Sequence, residues 1–295
     1  MILLTGATGF VGGHLLNGLL KEGLSVRCLV RPTSPKRHLV EGKGEVVLGD
    51  ILRPESLAPA FQGIKVVIHL VGIIQEGPGV TFEAVHAVGS KNVVDEAAKA
   101  GVSKFIHMSA LGAREGAASR YHRTKWQAEQ YLRASGLDYA IFRPSIIFGP
   151  GDGFITKLAD LIKRLPMVPV IASGDYQLQP IYIGDVVTCF LKAVKNPSVR
   201  GVFEIGGPER LAFKEILDIV SEALRMKKGR INIPLSIMKP LAFIMETFMK
   251  QPPVTREQLK MLGEGNICDL DKMGEVFPFK LTTLREGIAT YIRPA

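Results

Sequence analysis

The chain opens on "MILLTGATGFVGGHLLNGLL", an apolar run that passes straight into a glycine turn and then into an apolar-periodic stretch. Gly6, Gly9 and Gly12 stand at G-x-x-G-x-x-G spacing between a strand and a helix. Gly6 permits the tight turn. Gly9 lets the backbone approach a ligand with no Cβ in the way, and Gly12 lets the helix lie close to the strand. The helix N-terminus then presents free N–H groups and the positive end of its dipole. This loop suits a pyrophosphate, so Gly6, Thr8, Gly9, Phe10, Val11 and Gly12 are candidate dinucleotide-binding residues. The plain alternative is a glycine-rich turn with no ligand.

The segments that follow repeat the same alternation. "SVRCLV" (25–30), "EVVLGD" (45–50), "KVVIHLVG" (65–72), "KFIHMSA" (104–110) and "YAIFRPS" (139–145) read as strands, and their continuous β-branched character suits a parallel sheet covered on both faces. Helices are expected near 10–22, 54–61, 82–100 and 118–135, with Gly101 and Gly136 ending the last two. The fold class is therefore α/β: a Rossmann-like doubly wound parallel sheet with a smaller C-terminal α/β substrate lobe. Residues 1–195 form the expected dinucleotide-binding domain, with 144–180 contributing in part to the substrate cleft. Residues 196–295 form the smaller lobe.

Composition narrows the functional classes. Net charge is +9, yet the basic residues are scattered apart from "RPTSPKR" at 31–37. One Trp and six Tyr offer no stacking platform, so nucleic acid is not an expected partner. Cys28, Cys189 and Cys268 are odd in number and widely spaced, which argues against a disulfide framework and for a reducing compartment. No Cys/His spacing suggests a metal site. No apolar run is long enough to span a bilayer, and the N-terminus reads as a strand and not as an export signal. The expected location is cytoplasmic, or peripheral at the inner face of a membrane. Oligomeric state is not legible.

"TGATGFVGG", "LGD" at 48–50, "IHLVG" at 68–72, "HMSALGA" at 107–113, Tyr121 and Lys125 four residues apart, and "RPSIIFGPGD" together resemble the extended short-chain dehydrogenase/reductase superfamily over about residues 1–210. "HLVGII" and "SALGA" resemble the branch around the nucleotide-binding accessory subunit of respiratory complex I. Sugar-nucleotide epimerases and dehydratases share the architecture. The resemblance implies a nicotinamide cofactor, with Asp50 contacting the adenine amino group, Ile51 covering the ring, and Leu70, Val71 and Gly72 lining the site. A lone Asp at a strand end is otherwise a turn or cap residue.

The second strand ends in "CLVRP", where an acidic residue would hydrogen-bond the ribose 2′-OH of NAD. Arg31 stands there instead, with Ser34, Lys36 and Arg37 behind it. A guanidinium and a hydroxyl suit a 2′-phosphate. NADP(H) is the favoured cofactor and NAD(H) the alternative. A solvated basic loop is the plainer reading.

By the same resemblance, Ser109, Tyr121 and Lys125 are the catalytic set. Lys125 lies one helical turn from Tyr121 on the same face. A neighbouring ammonium and an oxidised nicotinamide are expected to lower the phenol pKa. Tyr121 then exchanges a proton with a substrate oxygen that Ser109 holds, while Lys125 also binds the nicotinamide ribose. Arg143 and Pro144 flank the nicotinamide amide. His122 and Arg123 read as solvated, and His69 and His107 as packed, hydrogen-bonded core residues.

Two function classes remain open. One is an NADP-dependent oxidoreductase or epimerase acting on an unidentified small molecule, lipophilic or sugar-nucleotide. The other is a non-catalytic nucleotide-binding assembly protein with a respiratory-complex contact. The segment "IPLSIMKPLAFIMETFMKQPP" (233–253) bears on both. Leu235, Met238, Leu241, Ala242, Met245 and Phe248 recur at helical spacing, and Pro240 is expected to start or interrupt the helix. A core helix is the plain reading. A lid, or a membrane contact aided by Lys239 and Lys250, is the other.

Overall fold

Six strands form where the apolar runs place them: β1 (Ile2–Thr5), β2 (Val26–Val30), β3 (Glu45–Leu48), β4 (Val66–His69), β5 (Lys104–Met108) and β6 (Tyr139–Pro144). With β7 (Gly201–Ile205) they build a seven-stranded sheet in the order β7-β6-β5-β4-β1-β2-β3. The pairings β3–β2, β2–β1, β1–β4, β4–β5 and β5–β6 are parallel. Strand order reverses at β1, where a doubly wound sheet opens a crevice beyond its carboxyl ends. This computed structural model describes residues 1–249 and 252–294.

The chain divides into two units. The first comprises Met1–Arg143, Val187–Phe203 and Glu275–Phe277; the second comprises Pro144–Val186, Glu204–Gly274 and Pro278–Ala295.

In the first unit, helix α1 (Phe10–Lys21) buries Val11, Leu15, Leu16 and Leu19. The region expected as a helix at 54–61 is a 3-10 turn (Pro54–Ser56) followed by the short helix α2 (Ala58–Phe61). Pro54 and Pro59 sit at early helical positions, where the missing N–H costs least, and the two short turns do not merge into one helix. The 82–100 segment opens as a π-helical turn (Glu83–Val88) before α3 (Gly89–Lys99). Gly101 and Gly136 take φ values of +66° and +77° just beyond α3 and α4 (Arg120–Ala134), as left-handed C-terminal caps require. One face of the sheet packs Leu3, Val67, Phe105 and Ile141 against Leu57, Val93, Ala97 and Leu132. Each large apolar side chain buried in this way contributes roughly 1.5–3 kcal/mol. Phe142 of β6 packs against Phe203 of β7 at 5.7 Å and against Phe190 at 4.6 Å, so the run expected in the smaller lobe supplies a strand of the main sheet.

In the second unit, helices α5 (Ile155–Arg164) and α7 (Phe213–Ala223) share a core of Ile155, Leu158, Ile162, Ile216 and Val220. Helix α6 (Ile183–Lys195) precedes α7 in the chain and bridges the division of residues between units. Strands Met167–Ile171 and Gly229–Ile233 pair in parallel. Helix α8 (Leu235–Phe248) runs unbroken through Pro240, which neither starts nor interrupts it. Proline removes one N–H, and the Ser236 carbonyl that would have received it belongs to an exposed residue that water can reach. Met238 and Ala242 are buried, but Leu235, Leu241 and Phe248 of the same expected core face are exposed. The helix is thus apolar on more sides than it buries. Lys250 lies outside the described residues.

Close approach of α1 to the loop rests on Gly12. A Cβ there would sit 2.1 Å from the Gly6 carbonyl oxygen and 2.8 Å from Ala7 Cα, both backbone atoms. Gly12→Ala should therefore destabilise the chain by about 1–3 kcal/mol, as overpacking does. Urea denaturation measures this, and an unchanged midpoint would mean that the helix can shift freely.

Candidate active site

The glycine loop wraps the carboxyl end of β1. Gly6 adopts φ +79°, and a Cβ on it would press within 3.2 Å of the Leu70 and Val71 backbone. The Gly9 amide donates to the Gly6 carbonyl at 3.0 Å. Gly9 is the N-cap of α1 and offers no side chain to its first-turn amides, and that turn carries no acidic residue. Uncapped N–H groups and an unopposed dipole leave an anion cradle, and a side chain at Gly6 or Gly12 would press on the backbone that shapes it. The residues present therefore fit a dinucleotide pyrophosphate.

A cavity of about 460 Å³ opens over this loop. Of the residues singled out from sequence, Gly6, Thr8, Gly9, Arg31, Ser34, Asp50, Ile51, Leu70, Val71 and Gly72 line it. Phe10, Val11 and Gly12 lie behind it, in the first turn of α1. Arg31 is exposed and makes no ion pair among the described residues. Arg37 points elsewhere: its Nε pairs with Glu41 at 2.8 Å. Lys36 lines the cavity in its place, on the far side of the same basic loop. Asp50 Oδ1 accepts the Leu52 amide at 3.0 Å, which fixes its own turn. Pro144 ends β6, at the first residue of the second unit.

Ser109 follows β5 directly, and Tyr121 and Lys125 stand one turn apart on α4. The helix begins where it does because Ser119 caps it, accepting the His122 amide. Lys125 is buried and donates from Nζ to the Met108 carbonyl at 3.0 Å. Its Nζ also lies 3.0 Å from where a Cβ on Gly72 would stand, but Ser109, Tyr121 and Lys125 are not among the residues that line the cavity. Burial sets the lysine down to about 8, against the opposing pull of the Glu129 charge. Burial pushes the Tyr121 phenol up to about 12, which reverses the lowering expected from a neighbouring lysine. The reason is desolvation, which the Lys125 ammonium, spent on Met108, does not offset. No described residue hydrogen-bonds the phenol oxygen.

Two groups that the sequence reading left out complete the surroundings. His86 comes from the π-helical turn and meets the Tyr121 ring edge-on at 5.3 Å. The Ile73 amide donates to its Nε2 at 3.0 Å, so the ring proton sits on Nδ1 and is shared with Thr124 Oγ1 at 3.0 Å. Thr124 in turn donates to the Tyr121 carbonyl. Burial and the Lys125 charge set His86 down to about 2, so it is a neutral spacer. A histidine buried in a helix carries no distinctive spacing, and only its contacts reveal it.

The second group is Glu129, fully buried on α4 one turn beyond Lys125. Its Oε1 accepts the Ser109 hydroxyl at 2.5 Å and Arg143 Nε at 2.8 Å, and its Oε2 accepts Arg143 Nη2 at 2.7 Å. The Arg143 guanidinium also lies over Trp126, 5.5 Å from the ring centroid. Arg143 is therefore committed to the carboxylate and is not among the residues lining the cavity. The serine proton is committed as well, leaving Ser109 able to accept but not to donate.

His69 is packed and satisfied, bonded to Thr5 and Ser90. His107 stacks on it at 5.5 Å, but its Nε2 is buried with no hydrogen-bond partner. His122, expected in solvent, is buried against Gly112 and bonded to Ser119 Oγ at 2.9 Å.

The Epimerase model, "NAD dependent epimerase/dehydratase family", matches residues 2–206. A ceramide reductase of Caulobacter vibrioides is 31% identical over 236 residues, which cover 79% of this chain and 74% of that one. The mitochondrial 40 kDa subunit of NADH-ubiquinone oxidoreductase from Neurospora crassa is 27% identical over 271 residues, 90% of this chain and 71% of that one. The crystal structure of the Bordetella bronchiseptica enzyme WbmH in complex with NAD+ shares the fold, with a TM-score of 0.76 at 19% identity over 99% of this chain and 96% of that one. The family match spans more than two thirds of the chain, and the chain belongs to the NAD dependent epimerase/dehydratase family.

Proposed function

We infer that this protein is an NADP(H)-preferring oxidoreductase in which Tyr121 exchanges a proton with a substrate oxygen. The observation that carries the reading is the state of that phenol. Its hydroxyl has no partner among the described residues, while His86, edge-on to its ring, and Thr124 are bonded to other groups. When bound, the cofactor would give or accept hydride at the nicotinamide. The glycine loop would hold its pyrophosphate, and Arg31 with Lys36 would face a 2′-phosphate. A phenol held up at about 12 is protonated at neutral pH, so Tyr121 is an acid ready to protonate a carbonyl oxygen in the reductive direction. Lys125, close to Gly72, would bind a ribose hydroxyl. The 31% identical ceramide reductase supports a lipophilic carbonyl or alcohol as the substrate class.

One observation favours a second reading. Ser109 gives its only proton to Glu129, so as arranged it cannot donate to a substrate oxygen. A cofactor held for structure, in a nucleotide-binding protein that contacts a respiratory assembly, would need no such donor. The likeness to the Neurospora crassa subunit supports that alternative.

Three measurements bear on these readings. NADPH should bind more tightly than NADH, and Arg31→Asp should reverse the order by replacing a charge-assisted contact with repulsion. Fluorescence titration reads both, and tighter NADH binding by the unaltered chain would defeat the assignment. With a carbonyl panel that includes long-chain ketones, Tyr121→Phe should cut turnover by about 10²–10⁴-fold while leaving cofactor affinity unchanged. Absence of turnover in the unaltered, cofactor-loaded protein would favour the assembly reading. The third measurement concerns Lys125, whose pKa falls on folding from 10.5 to about 8. Between those values the unfolded chain binds more protons, so stability rises with pH across that window. The unaltered chain should gain on Lys125→Met from about pH 8 to 10.5 in urea midpoints. A constant difference would show that the ammonium is not desolvated.

A further inference from the structure

Helix α8 leaves an ordered apolar stripe in solvent. Ile237, Leu241, Ile244 and Phe248 are 56%, 38%, 51% and 82% exposed. Their spacing of four, three and four residues puts them on one side of a helix. Met238, Ala242 and Met245 form a different face, which packs on Leu259, Ile171 and Ile233. Burial of the helix against its own unit is therefore complete without the stripe. A run of four large apolar side chains held outward is costly in water and calls for a partner.

The charge of the chain segment that leads into and includes the helix favours an anionic partner. Residues 225–249 carry Arg225, Lys227, Lys228, Arg230 and Lys239 against the single acid Glu246, a net +4 within a chain of +9. Glu246 is itself paired with Arg256, and Arg230 with Asp218. Arg225, Lys227 and Lys239 are exposed and make no ion pair among the described residues. No carboxylate stands on the stripe to repel an anionic surface. No helix among the described residues is long and apolar enough to cross a membrane. At 14 residues α8 is about 21 Å long, suited to lying in the plane of a bilayer interface and not to spanning it. One four-residue stripe is also well short of the roughly 800 Å² per partner that a stable protein interface buries.

We propose that α8 is a membrane-docking helix, which sets Ile237, Leu241, Ile244 and Phe248 into the headgroup boundary of an anionic bilayer while Arg225, Lys227 and Lys228 engage its phosphates. The inference stands apart from the catalytic reading: a protein without turnover would dock in the same way. A single amphipathic helix with a basic flank gives reversible attachment.

The protein is mixed with phosphatidylcholine vesicles containing about a third phosphatidylglycerol, and with pure phosphatidylcholine vesicles, and each is floated at low and high salt. It should float with the anionic vesicles at low salt only. Ile244→Gln combined with Phe248→Gln should weaken binding more than about tenfold, with an unchanged melting temperature because both side chains are exposed. Lys227→Gln combined with Lys228→Gln should weaken it by roughly tenfold or more, at about 1 kcal/mol per lysine. Failure to float with anionic vesicles at low salt would overturn the proposal, as would undiminished binding by the Ile244/Phe248 variant. Sedimentation that revealed a dimer abolished by that variant would assign the stripe to a second copy of the chain, and would also overturn it.

Discussion

Lys125 keeps an ammonium group buried, bonded to the Met108 carbonyl and pressed against Gly72. Much of the site's chemistry is arranged around that one charge. The same burial that sets the lysine down to about 8 leaves His69 and His86 neutral, and its field lowers both of them further. Neutral rings can pack where imidazolium could not, so His86 stands edge-on to Tyr121 and carries the hydrogen bonds that seat it. Glu129 is the counterweight, one turn along the helix, and it is held in turn by Arg143.

Local chemistry made part of this legible in advance. The glycine spacing was legible because Gly6 takes a positive φ and Gly12 lies where a Cβ would come within 2.1 Å of a backbone oxygen, conditions that favour a residue without a Cβ. Strand positions were legible because apolar runs of the right length have few other uses in a covered parallel sheet. The Tyr121–Lys125 spacing was legible because one helical turn aligns them. What escaped the sequence depends on distant partners. Glu129 looks like any helical glutamate until Ser109 and Arg143, far apart in the chain, converge on it. His86 lies in a π-helical turn that amphipathic spacing reads as ordinary helix. Arg37 and Lys36 are adjacent, and only the geometry of a short exposed turn decides which faces the cavity.

Tyr121 also shows how burial and charge compete. A lysine four residues away suggested a lowered phenol pKa, but burial of the phenol raises it instead. Lys125 points its proton at a carbonyl instead, and desolvation prevails. The protein alone therefore holds the acid form.

Helix α8 extends the same contrast between local pattern and long-range packing. Its apolar residues were expected to share one buried face, but the helix is apolar on too many sides for a single neighbour to cover. Met238, Ala242 and Met245 satisfy the packing demand of their own unit, and Ile237, Leu241, Ile244 and Phe248 are surplus to it. Surplus apolar surface beside unpaired lysines is the combination a lipid interface rewards, because the aqueous cost of one and the self-repulsion of the other are relieved by the same contact. If the substrate is itself lipophilic, a helix lying on the bilayer would bring the protein to where that substrate dissolves. The apolar stripe and its basic flank favour docking whatever the substrate.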